Sequence, residues 1–143
     1  MLFLPFKMKT LFYFLLLISS QLFAQQNTKV DFVTAISNLN LDFENKVIAG
    51  NVTYTFTVES PIDTIRIDAI NMSFTNVKIN NKTVDYKSSG KELQLFKGYK
   101  KGKNTLTFDY KATPKQTLYF VGEGEGIQIW TQGQGKYTSN WMP

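Results

Sequence analysis

Hydrophobic residues occupy every second position over much of this chain. In Val52-Thr53-Tyr54-Thr55-Phe56-Thr57-Val58 the apolar residues share one face and the threonines the other, the period of a strand with one buried side. The pattern recurs in Phe32 to Ile36, Leu39 to Phe43, Thr64 to Ala69, Ser73 to Ile79, Thr83 to Tyr86, Glu92 to Phe96, Thr105 to Tyr110 and Gln128 to Trp130. Turn chemistry separates these runs: Glu44-Asn45-Lys46, Ser60-Pro61, Asn80-Asn81, Ser88-Ser89-Gly90 and Lys101-Gly102-Lys103-Asn104. With no helical period beyond Val30, the spacing predicts an all-β domain, an antiparallel curved sheet or β-sandwich.

The start of the chain is patterned differently. Lys7 and Lys9 precede an unbroken apolar run from Leu11 to Ile18, which Ser19, Ser20 and Gln21 close before the small residue Ala24. That order predicts a secretory signal peptide over residues 1–24 and a secreted or periplasmic location. An uncleaved anchor would need roughly 20 apolar residues to cross the hydrocarbon layer. Met8 makes a more typical start than Met1. The remainder, residues 25–143, is long enough for one domain with a real core.

Composition narrows the chemistry. Cysteine is absent, which removes a disulfide framework, a lipid-attachment cysteine and thiolate metal sites. Histidine is absent too, so Ser-His and Cys-His nucleophile pairs, histidine bases and almost every zinc site go with it. Lys7 and Lys9 are two of the 16 Lys and Arg residues; the 14 others face 11 acidic residues, a net charge of +3 beyond the leader. That is too mild and dispersed for nucleic acid. Lys97, Lys100, Lys101 and Lys103, interleaved with glycines, fit a solvated hairpin loop. The Asn-x-Ser/Thr triplets at Asn51, Asn71 and Asn81 fit strand ends and turns as well as glycosylation sites. Glu123 and Glu125 resemble a carboxylate pair, but the glycines around them give no rigid support across a cleft, and a mobile hairpin loop is expected instead. The aromatics Tyr54, Phe56, Phe74, Phe108, Tyr110, Tyr119 and Phe120 fall mostly at inward strand positions and read as core.

The last stretch carries the candidate site. A polar, glycine-interrupted Thr131-Gln132-Gly133-Gln134 follows the apolar Ile127 to Trp130. Gln132 and Gln134, two apart on an extended segment, project from the same side, each with an acceptor oxygen and a donor amide group. They suit an ammonium or amide ligand, and equally bonds to neighbouring backbone. The finish on Trp141-Met142-Pro143, with no turn or polar tail, predicts a fragment of a longer protein.

Thr131 to Gln134, with Pro143 twelve positions after Thr131 and an aromatic residue just before, resembles the block that ends the N-terminal domain of the aminopeptidase N family of zinc metallopeptidases, which includes the leukotriene hydrolase branch. Val47 to Val52 is similar to the family's second-strand Gly-x-Val, and Asn104 to Tyr110 followed by Leu118 to Phe120 to its later strands; the likeness runs from about Val30 to Pro143. The resemblance implies a saddle-shaped first domain that packs on a thermolysin-like catalytic domain. It assigns to Gln134 the binding of the free amino group of a peptide substrate, with Gln132 lining the same pocket. Gln in place of the commoner Glu would meet the ammonium with a dipole rather than a charge. Family members often carry glycine at the place of Thr117 and arginine at that of Ser139. The Gly-x-Met-Glu-Asn segment and the His-Glu-x-x-His zinc helix do not occur in this chain. The resemblance thus implies substrate recognition and docking without catalysis, no cofactor in this chain, zinc in the full-length parent, and peptide N-termini as substrate. The alternatives are a free-standing secreted β-sandwich binding module and a half whose partner is separately encoded.

Overall fold

The computed structural model describes residues 28–133 and 135–143, with the side chains at 135 and 136 outside the description. The predicted leader, residues 1–24, and Gln134 therefore lie outside the described residues. Among the described residues ten strands follow in order: β1 (Val30–Asp42), β2 (Val47–Val58), β3 (Ile65–Asp68), β4 (Met72–Ile79), β5 (Lys82–Thr83), β6 (Tyr86–Ser88), β7 (Glu92–Leu95), β8 (Gly102–Ala112), β9 (Leu118–Val121) and β10 (Gln128–Thr131). All pairings are antiparallel. They build a five-stranded sheet ordered β1-β2-β8-β4-β5, a three-stranded sheet ordered β3-β7-β6 and the β9-β10 ribbon. The all-β expectation holds, in a sandwich-like arrangement.

The alternation explains the layering. On β8, Asn104, Leu106, Phe108, Tyr110 and Ala112 are buried, and on β2 the buried residues are Ile48, Val52, Phe56 and Val58, so even-numbered positions of both strands face inward. Ile65, Ile67, Leu93 and Leu95 of the smaller sheet join them in a single hydrophobic cluster. Removing these side chains from water is the main stabilising term of such a sandwich. Tyr86 and Ser88 on β6 donate to the carbonyls of Phe74 and Met72 at 2.6 and 3.3 Å, tying the small sheet to β4.

Two bulges change the inward phase without breaking the strands. On β4, Asn76 and Val77 stand opposite one residue of β8, so burial passes from Met72 and Phe74 to Val77 and Ile79. Asn76 takes φ +52°, a left-handed value that asparagine tolerates better than most residues. Its amide donates to Asp109 at 2.6 Å, and that of Asn51 donates to the same carboxylate at 2.8 Å, a clasp across β2, β8 and β4. These bonds, that from Asn51 first, hold the Asp109 carboxyl below its ordinary range. On β1 the shift between Phe32 and Thr34 turns Ala35, Ser37, Leu39 and Leu41 to the side that Phe32 faced.

Several boundaries differ from those predicted. The expected strands Phe32 to Ile36 and Leu39 to Phe43 are one 13-residue strand. The expected strand Thr83 to Tyr86 is instead the crossing between sheets: β5 ends at Thr83 and β6 begins at Tyr86 in the other sheet. Asn80 and Asn81, both at positive φ, form the two-residue β4-β5 turn, as their residue types predict.

Candidate functional site

The candidate site begins where β10 ends. Trp130 pairs with Tyr119 and Thr131 with Leu118, and the ladder continues one step further as the Gln132 amide donates to the Thr117 carbonyl at 2.7 Å. The Gln132 side chain is exposed and has no hydrogen-bond partner among the described residues. Gln134 lies outside the described residues. Gly133 fits a close approach: a Cβ there would stand 3.0 Å from Thr138 Oγ1.

A short 3₁₀ helix over Gly135–Asn140 then turns the chain back across the domain. The Ile70 amide donates to the Ser139 carbonyl at 2.8 Å, and Thr117 Oγ1 donates to the Tyr137 carbonyl at 2.9 Å. Two tyrosines of the inner face hold the closing strap. Tyr110 Oη donates to the Trp141 carbonyl at 2.9 Å, and Tyr54 Oη donates to the Pro143 carbonyl. Gly50 makes room for this, since a Cβ on it would lie 2.7 Å from the Tyr110 ring, and the Gly-x-Val of β2 thereby gains a steric reason.

An exposed apolar face around Trp130 and Trp141 is expected of a domain that docks on another. Trp130 is 64% exposed beside Tyr119 and Val121 on the outward side of the ribbon. Trp141 differs: it packs against the core, with its indole N–H enclosed and unbonded among the described residues. Glu123 and Glu125 are exposed in the β9-β10 connection, around a 3₁₀ turn at Gly124–Gly126. In the lysine-rich loop, Lys97 pairs with Asp85 at 2.6 Å.

Burial, and secondarily the nearby Tyr54, pushes the Tyr110 hydroxyl up to about 12. The folded state thus holds this proton more tightly than the unfolded chain, whose tyrosine titrates near 10.0. The resulting stability is fully present below the unfolded value and is lost as pH rises through the folded one. Urea midpoints should therefore fall steeply between about pH 10 and 12, and Tyr110→Phe should flatten that fall; an unchanged slope in the variant would place the titration elsewhere.

The residues present do not fit a zinc ion. Histidine and cysteine are missing from the sequence, and among the described residues no three Asp or Glu side chains come together as a metal site.

These features define an antiparallel β domain whose terminal segment is strapped over its inner face and presents the exposed side chain of Gln132. The sequence matches the Peptidase M1 N-terminal domain over residues 31–143, and the chain belongs to that family. Among solved structures it is similar to yeast LTA4 hydrolase in complex with bestatin, at a TM-score of 0.72 and 19% identity, covering 82% of this chain and 21% of that one. It is also similar to an M1 zinc metallopeptidase from Deinococcus radiodurans, with a TM-score of 0.63 at 15% identity over 80% of this chain and 28% of the other. A third likeness is to Legionella pneumophila aminopeptidase A in complex with aspartic acid, with a TM-score of 0.55 at 14% identity over 68% of this chain and 12% of the other. At these identities the structural likeness shows the fold. The chain spans about a fifth of the length of the yeast relative. Comparison with curated protein sequences finds no match.

Proposed function

We propose that this chain is the substrate-recognition and docking domain of an exported zinc aminopeptidase. Gln134 binds the free amino group of a peptide and Gln132 lines the same pocket. A thermolysin-like catalytic domain holds the zinc and covers the apolar face of Tyr119, Val121 and Trp130. The observation that carries the reading is the family match, which runs through the Thr131 to Gln134 block to Pro143. The exposed side-chain amide of Gln132, without a hydrogen-bond partner among the described residues, supports it, because a side chain already bonded within the domain would have little to offer a ligand.

The test is made on this domain joined to its catalytic domain in one polypeptide. Gln134→Ala should raise KM for peptides with a free amino terminus about 10- to 100-fold, as expected for a lost hydrogen bond to a charged group. An unchanged KM would remove Gln134 from amine recognition. For export, expression in a secreting host followed by N-terminal sequencing should find Gln25 first; an intact Met1 or Met8 start outside the cell would rule out cleavage after Ala24.

A further inference from the structure

Thr117 has an unusual combination of properties. It is buried, with 8% of its surface exposed, and adopts φ +67°, a left-handed conformation that is a steric outlier for a β-branched residue. Glycine would sit there without a steric penalty. Yet both polar groups that threonine places here are used on the same turn. Its carbonyl accepts the Gln132 amide at 2.7 Å, and its hydroxyl donates to the Tyr137 carbonyl at 2.9 Å.

These two partners are the limbs of the turn that leaves β10 and enters the 3₁₀ helix. The limbs converge nearby as well, at Gly133 and Thr138. The Thr138 carbonyl in turn accepts the amides of Trp141 and Met142, both at 3.0 Å, so the tie at Tyr137 continues into the strap. The carbonyl bond would survive replacement by any residue. The hydroxyl bond needs Ser or Thr.

We propose that Thr117 is a positioning residue: its hydroxyl fixes the far limb of the turn against the near one, and so sets where Gln132 is presented. This rests on the reading of Gln132 as part of the amine pocket. The conformational cost of threonine at this φ is offset by order in the turn rather than by stability of the whole domain. Local order and global stability should therefore separate on substitution, with the loss confined to the turn and its strap.

The experiment is residue-resolved amide hydrogen exchange on this chain as expressed, alongside urea unfolding. In Thr117→Gly the backbone strain is relieved and the hydroxyl lost. Exchange at Gln132, Trp141 and Met142 should rise by about tenfold or more, the loss of one hydrogen bond, while Val52 and Phe108 in the central strands do not exchange faster and the urea midpoint does not fall. Thr117→Ser should restore the parental exchange at Gln132. Uniformly faster exchange with a lower midpoint would overturn the proposal, as would unchanged exchange at Gln132 in Thr117→Gly or a failure of serine to rescue. No substrate is involved, so failure here is distinguishable from failure of amine recognition, which the Gln134 substitution tests separately.

Discussion

Replacing Phe108 by alanine is expected to destabilise the domain by about 3–5 kcal/mol, the cost of removing a fully enclosed aromatic ring. Phe108 is completely buried on β8, the strand with β2 on one side and β4 on the other. Its ring meets Phe74 edge-on at 5.4 Å and Tyr54 at 6.2 Å, so the void would open between three strands and could not collapse without moving the sheet. Urea denaturation measures the effect. Ile36→Thr on β1, at a position 63% exposed, is the control and should stay within about 0.5 kcal/mol. A loss below about 1 kcal/mol for Phe108→Ala would mean that the centre of the core lies elsewhere.

Asn104→Ala should cost about 2–4 kcal/mol, because four part-buried hydrogen bonds converge on this one side chain and are lost together. Asn104 is 1% exposed and occupies an inward position of β8 opposite Phe56. Its amide nitrogen donates to the carbonyls of Lys100 and Gly102, both at 2.7 Å. Its oxygen accepts the Lys100 amide at 3.0 Å and the Asn80 side chain at 2.9 Å. One side chain thus organises the lysine-rich loop and the β4-β5 turn. Asn104→Asp should also destabilise, since a carboxylate would face two carbonyl oxygens with nothing to donate. If both variants unfold at the parental urea concentration, the network contributes nothing and the loop is held by its backbone alone.

The strands most legible in the sequence are those that bury one face throughout. Val52 to Val58 alternates in the sequence because its even positions meet the core and its threonines meet water. The β1 strand was harder to delimit because it is an edge: Val33, Ile36 and Leu39 are all exposed, and a bulge reverses the phase, so the apolar residues mark neither face consistently. The crossing between β5 and β6 was invisible to periodicity, since a strand's alternation is the same in whichever sheet it pairs. Asn104, read as part of a turn, sits in register with Leu106, Phe108 and Tyr110; that even spacing was the available sign of burial. For the site, the Thr131 to Gln134 block carried the resemblance, and the family match supports it. The Thr117 hydroxyl bond was not legible, because it joins residues 20 apart through a backbone carbonyl, and carbonyls leave no trace in side-chain identity.

The strand order has a consequence for how the molecule assembles. Val58 pairs with Gly102 and Ile48 with Ala112, while Met72 also pairs with Ala112. Neither neighbour of β8 can complete its hydrogen bonding until Ala112 has left the ribosome, and closing the large loop between β2 and β8 comes before any reward from pairing. Such a topology folds late and slowly, on the order of milliseconds to seconds. During synthesis the chain therefore waits with the local β1-β2 and β4-β5 hairpins free to form and the central place of β8 between them unfilled.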